Sequence, residues 1–233
     1  MKVVKSVMFE NVQMMVKAQL KDDLKQYGFK TRRFIFYRQV NGVVQGFKIY
    51  ANGHYTIRYD MYPLIYGLDY DNHCFELQDI SDLTVPPRET FLSIIPFGPD
   101  VTEDDQVAAW ENRYNKYIDF ADQLVKETQE YLLPLFFKYD SPEKHFEDNT
   151  WNRFGEWHTY YYSVLWSLQA RNYDLTYSYF DRAIEESEGY ANTYFLETIM
   201  QYKKYFDENR MDDLEKYLTE QENITLKSFA LKR

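Results

Sequence analysis

The sequence predicts an α+β protein in which an antiparallel β-meander packs on helices and a C-terminal helical bundle follows. Asn-Gly pairs at 41–42 and 52–53 separate runs of aromatic and β-branched residues, and both residues of such a pair tolerate the positive φ of a hairpin turn. Beyond residue 140, apolar residues recur only at the steps of three and four that are typical of helices. We therefore expect a helix–meander–long helix domain over 1–140 and a helical region packed on the long helix over 141–233.

The front half begins with a helix, predicted over residues 7–27, whose apolar positions recur at helical spacing. Gly28 is expected to end it as a left-handed C′ residue. Three or four strands are predicted after it, at 34–40, 43–50 and 54–61, with 74–77 as the candidate for a short fourth strand at the edge.

The long helix is predicted over 102–139, the longest stretch with unbroken helical periodicity. Thr102 is a suitable N-cap, and the acidic residues after it favour the positive end of the helix dipole. Pro134 has no backbone donor, so we expect it to kink or end the helix near that point.

The back half reads as successive helices. Pro142 suits the first position of a helix, Arg171-Asn172 is a short turn, and Gly189 is a stop. Further helices are predicted over 151–169, 173–187, 191–207, 212–221 and 224–231.

The first of these helices is aromatic on almost every side, which requires cover from more than one neighbour. One face is expected to be a buried seam, formed by Trp151, Phe154, Trp157, Tyr161 and Leu165. Tyr160, Tyr162 and Trp166 lie off that face, so they are predicted to meet the long helix or a protein partner.

The aromatic-rich composition suits both cores near the surface and binding faces, and it indicates no particular chemistry. The 233 residues include 23 Tyr and 17 Phe, and tyrosine can pack its ring while its hydroxyl stays in water. The net charge of −10 opposes general affinity for nucleic acid or anionic membranes. Basic residues nevertheless concentrate on the first hairpin, where we expect the acidic segment 51–140 to neutralise them within the fold. Alternatively, Arg32, Arg33 and Arg38 could meet an acidic partner or a phosphate backbone.

No motif for a catalytic, cofactor or metal site is present. The four histidines have no zinc-ligand spacing, and there is no glycine-rich phosphate loop or nucleophile elbow. A single cysteine, Cys74, excludes an intrachain disulfide and fits a reducing compartment. The N-terminus lacks a signal-peptide core and no apolar run has membrane-spanning length, which predicts a cytoplasmic protein that does not associate with a membrane. Because no site motif is present, we also expect no metal and no cofactor.

Two resemblances accompany this interpretation. The helix ending in Tyr27-Gly28-Phe29-Lys30, followed by an aromatic strand and an Asn-Gly turn, resembles a bacterial domain-of-unknown-function family, number 4304, over at most residues 10–140. That resemblance implies a helix–meander–helix fold and transfers no catalytic residue. The stretch LQARNYDLTYSYFDRAIEES resembles one tetratricopeptide unit in the spacing of Ala170, Tyr173, Phe180 and Ala183, without a second copy at the thirty-four-residue period.

These observations predict a non-enzymatic binding or regulatory protein that recognises another protein, or a second copy of itself, through an aromatic-rich surface. The alternative is an enzyme whose site is not visible as a short motif. A further alternative is nucleic-acid binding through the basic hairpin, which the acidic total charge opposes.

Overall fold

The chain belongs to the α+β class, with an antiparallel sheet and a helical C-terminal part, as the sequence predicts. The computed structural model describes residues 2–32, 34–51, 55–67, 78–79, 102, 118–147, 159–189 and 193–230. Within these ranges, one sheet has the strand order β1 (Lys30–Arg32), β2 (Ile35–Val40), β3 (Val43–Ala51), β4 (Tyr55–Pro63) and β5 (Gln78–Asp79). Neighbours in the sheet are neighbours in sequence, so the sheet is the predicted meander.

The helices carry most of the remaining described residues. They are α1 (Lys2–Lys25), α2 (from 118 to Lys138), α3 (Pro142–Glu147), α4 (Thr159–Gln169), α5 (Tyr173–Gly189), α6 (Thr193–Asp207) and α7 (Met211–Ser228), with a 3-10 turn at Leu64–Tyr66. Pro142 opens α3 as predicted, and the turn between α4 and α5 contains Arg171 at a φ of 57°.

Two compact units divide the chain. Unit 1 comprises residues 1–37, 46–60 and 75–135, and unit 2 comprises residues 38–45, 61–74 and 136–233. Unit 2 therefore holds the predicted helical region together with two segments of the front half.

In unit 1, four residues of the apolar stripe predicted for the first helix are buried, whereas Tyr27, the last residue of that stripe, is 41% exposed. Val12, Val16 and Leu20 are fully buried because steps of four place them on one face. The helix ends as predicted: Gly28 has a φ of 83°, and its N–H donates to the carbonyl of Lys25 while the next N–H, that of Phe29, donates to Leu24. This pattern is a Schellman motif, which satisfies carbonyls that the helix end would leave without donors.

Three phenylalanines form the aromatic part of the unit 1 core, and we call them the phenylalanine cluster. Phe36 and Phe47 stack with ring centroids 4.8 Å apart and planes 9° apart, and Phe29 meets the edge of Phe47 at 6.2 Å. All three are buried, with at most 5% of a side chain exposed.

The turn between β2 and β3 confirms the first predicted hairpin. Asn41 and Gly42 have φ values of 45° and 86°, as a turn that matches the strand twist requires. The second Asn-Gly pair, 52–53, and the predicted strand 74–77 lie outside the described residues. Strand β5 pairs antiparallel with β4 at the edge, and β1, which was too short and too charged to predict, pairs antiparallel with β2.

The long helix is irregular next to Pro134, where the sequence predicts a kink or an end. It is described from residue 118 and continues past the proline to Lys138, so the proline does not end it. The irregularity lies one turn earlier, at Thr128–Leu132, where the hydrogen bonds have π spacing and the N–H of Leu133 donates to the carbonyl of Thr128. A wider turn is one way in which a helix accommodates a residue that lacks an N–H.

The prediction of two short helices after residue 211 is wrong. One helix, α7, runs from Met211 to Ser228, and its buried positions continue at helical spacing through Leu218, Glu222 and Leu226. Neither Asn223 nor Ile224 breaks it, because neither residue removes a backbone donor or requires a non-helical conformation.

Candidate functional site

A cavity of about 240 Å³ in unit 2 is bordered by the 3-10 turn, α4, α6 and α7. We call it the tyrosine cavity, because its walls include Tyr66, Tyr161, Tyr194, Tyr202 and Tyr217. Glu197, Thr198, Gln201 and Gln221 supply the polar groups of the same walls.

Helix periodicity brings the α6 and α7 side chains together. Tyr194, Glu197, Thr198, Gln201 and Tyr202 are separated by steps of three, one, three and one, so they share one face of α6. On α7, Tyr217 and Gln221 are four residues apart and therefore adjacent on its surface.

Two buried hydrogen bonds hold the 3-10 turn that carries Tyr66. The N–H of Ile65 donates to Oε1 of Gln169 over 2.8 Å, and Oγ1 of Thr225 donates to the carbonyl of Leu64 over 2.7 Å. Side chains from α4 and α7 thus fix the turn from two helices. The cavity wall is preorganised rather than formed by a loose loop.

A polar network joins the same helices. Nε2 of Gln169 donates to Oε1 of Glu222 over 3.0 Å, and the guanidinium of Arg171 forms ion pairs with Glu222 at 3.0 Å and Glu215 at 3.1 Å. The hydroxyl of Tyr173 also donates to Glu215. The network ties the α4–α5 turn to α7, so its role is to position the helices that line the cavity.

The cavity has a deep wall and an open mouth. Tyr161 and Tyr202 are only 2% and 3% exposed, whereas Tyr194 is 62% exposed. Tyr161 stacks on Phe195 with centroids 3.9 Å apart, and Tyr202 meets the ring of Tyr217 at 5.9 Å and 67°. These contacts fix the deep rings, while Tyr194, whose ring is 5.8 Å from that of Phe195, is largely exposed to solvent.

Electrostatics keep the deep phenols neutral. Burial raises the pKa of Tyr161 and of Tyr202 well above the ordinary value, and the neighbouring tyrosines raise it further. Burial also raises the pKa of Tyr217, with Tyr205, Tyr194 and then Glu220 adding to the shift. A phenol in this state donates and accepts hydrogen bonds but does not act as a base at neutral pH.

The aromatic residues predicted for a partner surface have different surroundings. Tyr160 is partly exposed, and its hydroxyl accepts a hydrogen bond of 2.8 Å from Arg182. Tyr162 is half-buried, with its ring 6.4 Å from that of Tyr66.

Trp166 is not at a surface in unit 2. It is 3% exposed, it packs on Val43, and its ring is parallel to that of His145 at 3.8 Å. The spacing that placed Trp166 off the seam was correct, but the second side of α4 is covered from within unit 2. Of the predicted seam, Tyr161 and Leu165 are confirmed as buried, and positions 151, 154 and 157 lie outside the described residues.

The predicted basic residues also separate. Arg32 is exposed on β1, and Arg33 lies outside the described residues. Arg38 is only 6% exposed; its Nε donates to Oε1 of Gln45 over 2.8 Å, and Gln45 in turn donates to the carbonyls of Phe136 and Tyr139. The guanidinium of Arg38 is thus hydrogen-bonded inside unit 2. Burial lowers the pKa of Arg38, and the charge of Asp140 partly offsets that shift.

His145 is a buried aromatic residue of unit 2. Burial lowers its pKa to about 4, against a smaller opposing effect of a hydrogen bond with the Tyr139 backbone, so it is neutral at pH 7. No group of three or more potential metal ligands occurs in the described part of the chain. Within the same ranges, every helix is too short or too polar to cross a membrane.

Comparison with protein families, with curated proteins and with solved structures gives no match for this chain. The resemblances to family 4304 and to the tetratricopeptide unit therefore stay predictions. The helical spacing of the sequence predicts Tyr161 in the seam, but it indicates no role for the other cavity tyrosines. The signal that could have found two of them is the polar and aromatic face of α6, where Tyr194 and Tyr202 are eight residues apart.

Proposed function

We propose that this chain is a non-enzymatic, cytoplasmic binding protein that recognises another protein through the tyrosine cavity and its rim. The observation that carries the proposal is that tyrosines from four separate elements converge on one cavity, which reaches solvent at Tyr194. Tyrosine is enriched at protein interfaces, because its ring supplies contact area at low conformational-entropy cost and its hydroxyl supplies a directional hydrogen bond.

The chemistry of the walls favours binding over catalysis. Among the described residues that line the cavity there is no cysteine, histidine, serine or lysine, and Glu197 is the only carboxylate. General acid–base or nucleophilic catalysis needs a paired group to activate the reacting atom. The raised pKa of Tyr161 and of Tyr202 keeps both phenols protonated, so neither supplies that partner.

The test is site-specific photo-crosslinking followed by a binding measurement. A photoreactive amino acid is placed at position 198 in the cavity wall, and in a control protein at position 185, an exposed position on α5 away from the cavity. In the cells that produce the chain, we expect a partner protein to crosslink to the photoreactive residue at position 198 but not to the one at position 185. That protein is then identified and purified, and its affinity is measured for the wild type and for Tyr194→Ala.

A partner whose affinity falls by about tenfold or more in Tyr194→Ala would support the proposal, since a loss of about 1.4 kcal/mol is expected of an aromatic anchor. Equal crosslinking from both positions, or equal affinity for both proteins, would contradict it.

A further inference from the structure

We infer that the tyrosine cavity receives a cationic side chain, lysine or arginine, of the partner protein. This inference rests on the proposed function and adds the chemistry of the residue that is recognised. Aromatic ring faces attract cations through their quadrupole, and a carboxylate at the same site adds a direct charge.

The charges of the cavity favour a cation. The described wall residues include Glu197 and no lysine, arginine or histidine. None of the ion pairs between described residues involves Glu197. A second carboxylate, Glu220, is close enough to Tyr217 to raise the pKa of that phenol. The site therefore has negative charge that the described residues do not neutralise.

The other tyrosines of unit 2 show how this protein uses ring faces. Outside the cavity, Arg182 lies 5.3 Å from the centroid of Tyr160, and Lys203 lies 5.5 Å from that of Tyr177. Arg210 lies 5.4 Å from the centroid of Tyr205.

The cavity rings differ from these. In the described part of the chain, no lysine or arginine is placed over Tyr194, Tyr202 or Tyr217. The cavity is thus lined by tyrosines and a carboxylate, groups that hold cations elsewhere in unit 2, but without a cation from the described residues.

Size and hydrogen bonding limit the occupant. The volume of about 240 Å³ is below the roughly 300–1,000 Å³ of sites for drug-sized ligands, so it suits one side chain rather than a cofactor. Lysine and arginine carry only donors, three and five respectively. The phenol oxygens, the carboxylate and the amide oxygens of Gln201 and Gln221 are acceptors for such donors.

The experiment is a calorimetric or NMR titration with single-residue probes. N-acetyl-arginine methylamide and N-acetyl-lysine methylamide are compared with their neutral counterparts, the citrulline and norleucine methylamides. We expect each cationic probe to bind about tenfold more tightly than its neutral counterpart, a factor that corresponds to about 1.4 kcal/mol. Equal affinity of charged and neutral probes would overturn the inference.

Matched variants locate the effect. Glu197→Gln should weaken both cationic probes by about tenfold, as expected when one direct charge pair is lost. Glu185→Gln removes the same charge from an exposed position of α5 and should leave the affinities unchanged. An equal effect of the two variants would mean that overall charge, and not the cavity, attracts the probes, and would overturn the inference.

Two further comparisons distinguish a protein side chain from a free cation, and failure of this inference from failure of the proposed function. Free guanidinium and butylammonium should bind more weakly than the blocked amino acids; if they bind as tightly, the assignment to a protein side chain is overturned. A protein that crosslinks from position 198 without any preference for cationic probes would overturn this inference and leave the proposed function standing. If the cavity prefers cationic probes but no protein crosslinks to position 198, the proposal that the partner is a protein would be overturned.

Discussion

The phenylalanine cluster of unit 1 and the tyrosine cavity of unit 2 use aromatic rings in opposite ways. Phe36 and Phe47 stack and leave no exposed surface, whereas the tyrosines surround about 240 Å³ of open space. A phenyl ring has no polar atom, so complete closure carries no desolvation cost, while every phenol that is buried needs a hydrogen-bond partner. In these two regions, phenylalanines form closed core, whereas the clustered tyrosines leave open space between their side chains.

The largest effect should come from opening the closed cluster. Phe47→Ala is expected to lower the free energy of unfolding by about 3–5 kcal/mol, because it removes a fully buried ring and leaves a cavity. Chemical denaturation followed by circular dichroism measures the change. A loss below about 1 kcal/mol would show that the cluster is not closely packed.

His145 and Trp166 form a buried, stacked contact within unit 2, and the burial of His145 predicts that the free energy of unfolding depends on pH. The folded-state pKa of His145 is about 4, below the ordinary 6.5, so the unfolded chain binds the proton more readily. The free energy of unfolding therefore has its full value above pH 6.5 and decreases as the pH falls towards 4, because protonation of His145 favours the unfolded chain. The total decrease is about 3 kcal/mol, since each unit of difference in pKa corresponds to 1.36 kcal/mol.

The control for this prediction is His145→Phe, which keeps a ring beside Trp166 but cannot titrate. Denaturation curves recorded between pH 7 and pH 4 should show a smaller loss of stability in the variant than in the wild type. Parallel pH profiles would mean that His145 is not protonated on unfolding in this range.

A moderate effect is expected at the hairpin turn. Gly42 has a φ of 86°, and a Cβ there would lie 3.0 Å from Nε2 of Gln169, so Gly42→Ala should destabilise by about 1–3 kcal/mol through strain. Gly189→Ala is the matched control, since Gly189 lacks a positive φ and a Cβ there meets nothing within 4 Å. Equal melting temperatures for the two variants would contradict the turn geometry.

The smallest effect on stability should come from the mouth of the cavity. Tyr194 is 62% exposed, so Tyr194→Ala should change the free energy of unfolding by no more than about 0.5 kcal/mol. The same variant should bind N-acetyl-arginine methylamide more weakly than the wild type does. If Tyr194→Ala destabilises as strongly as Phe47→Ala, the cavity is core and the contrast between the two regions fails.

Local features of the fold were predictable, because each follows from residues close in sequence. Gly28 and the Asn41-Gly42 pair supply the positive φ that a helix end and a tight turn require, and the spacing of Val12, Val16 and Leu20 selects one face of a helix. By contrast, Pro134 removes a donor in any context, but whether the helix ends there depends on the turn before it and on what packs around it.

The sequence by itself determined the α+β class, the first hairpin and the three successive helices between residues 159 and 207. Only the tertiary structure decided which aromatic residues meet. Trp166, predicted to meet the long helix or a partner, is buried against Val43 and His145. Arg38, for which a partner contact and neutralisation within the fold were both open, is buried and donates to Gln45. Tyr66 and Tyr217, about 150 residues apart in sequence, line one cavity. The physical reason is that periodicity fixes which face of a helix a residue occupies. Which neighbour covers that face depends on long-range packing, which no local pattern encodes.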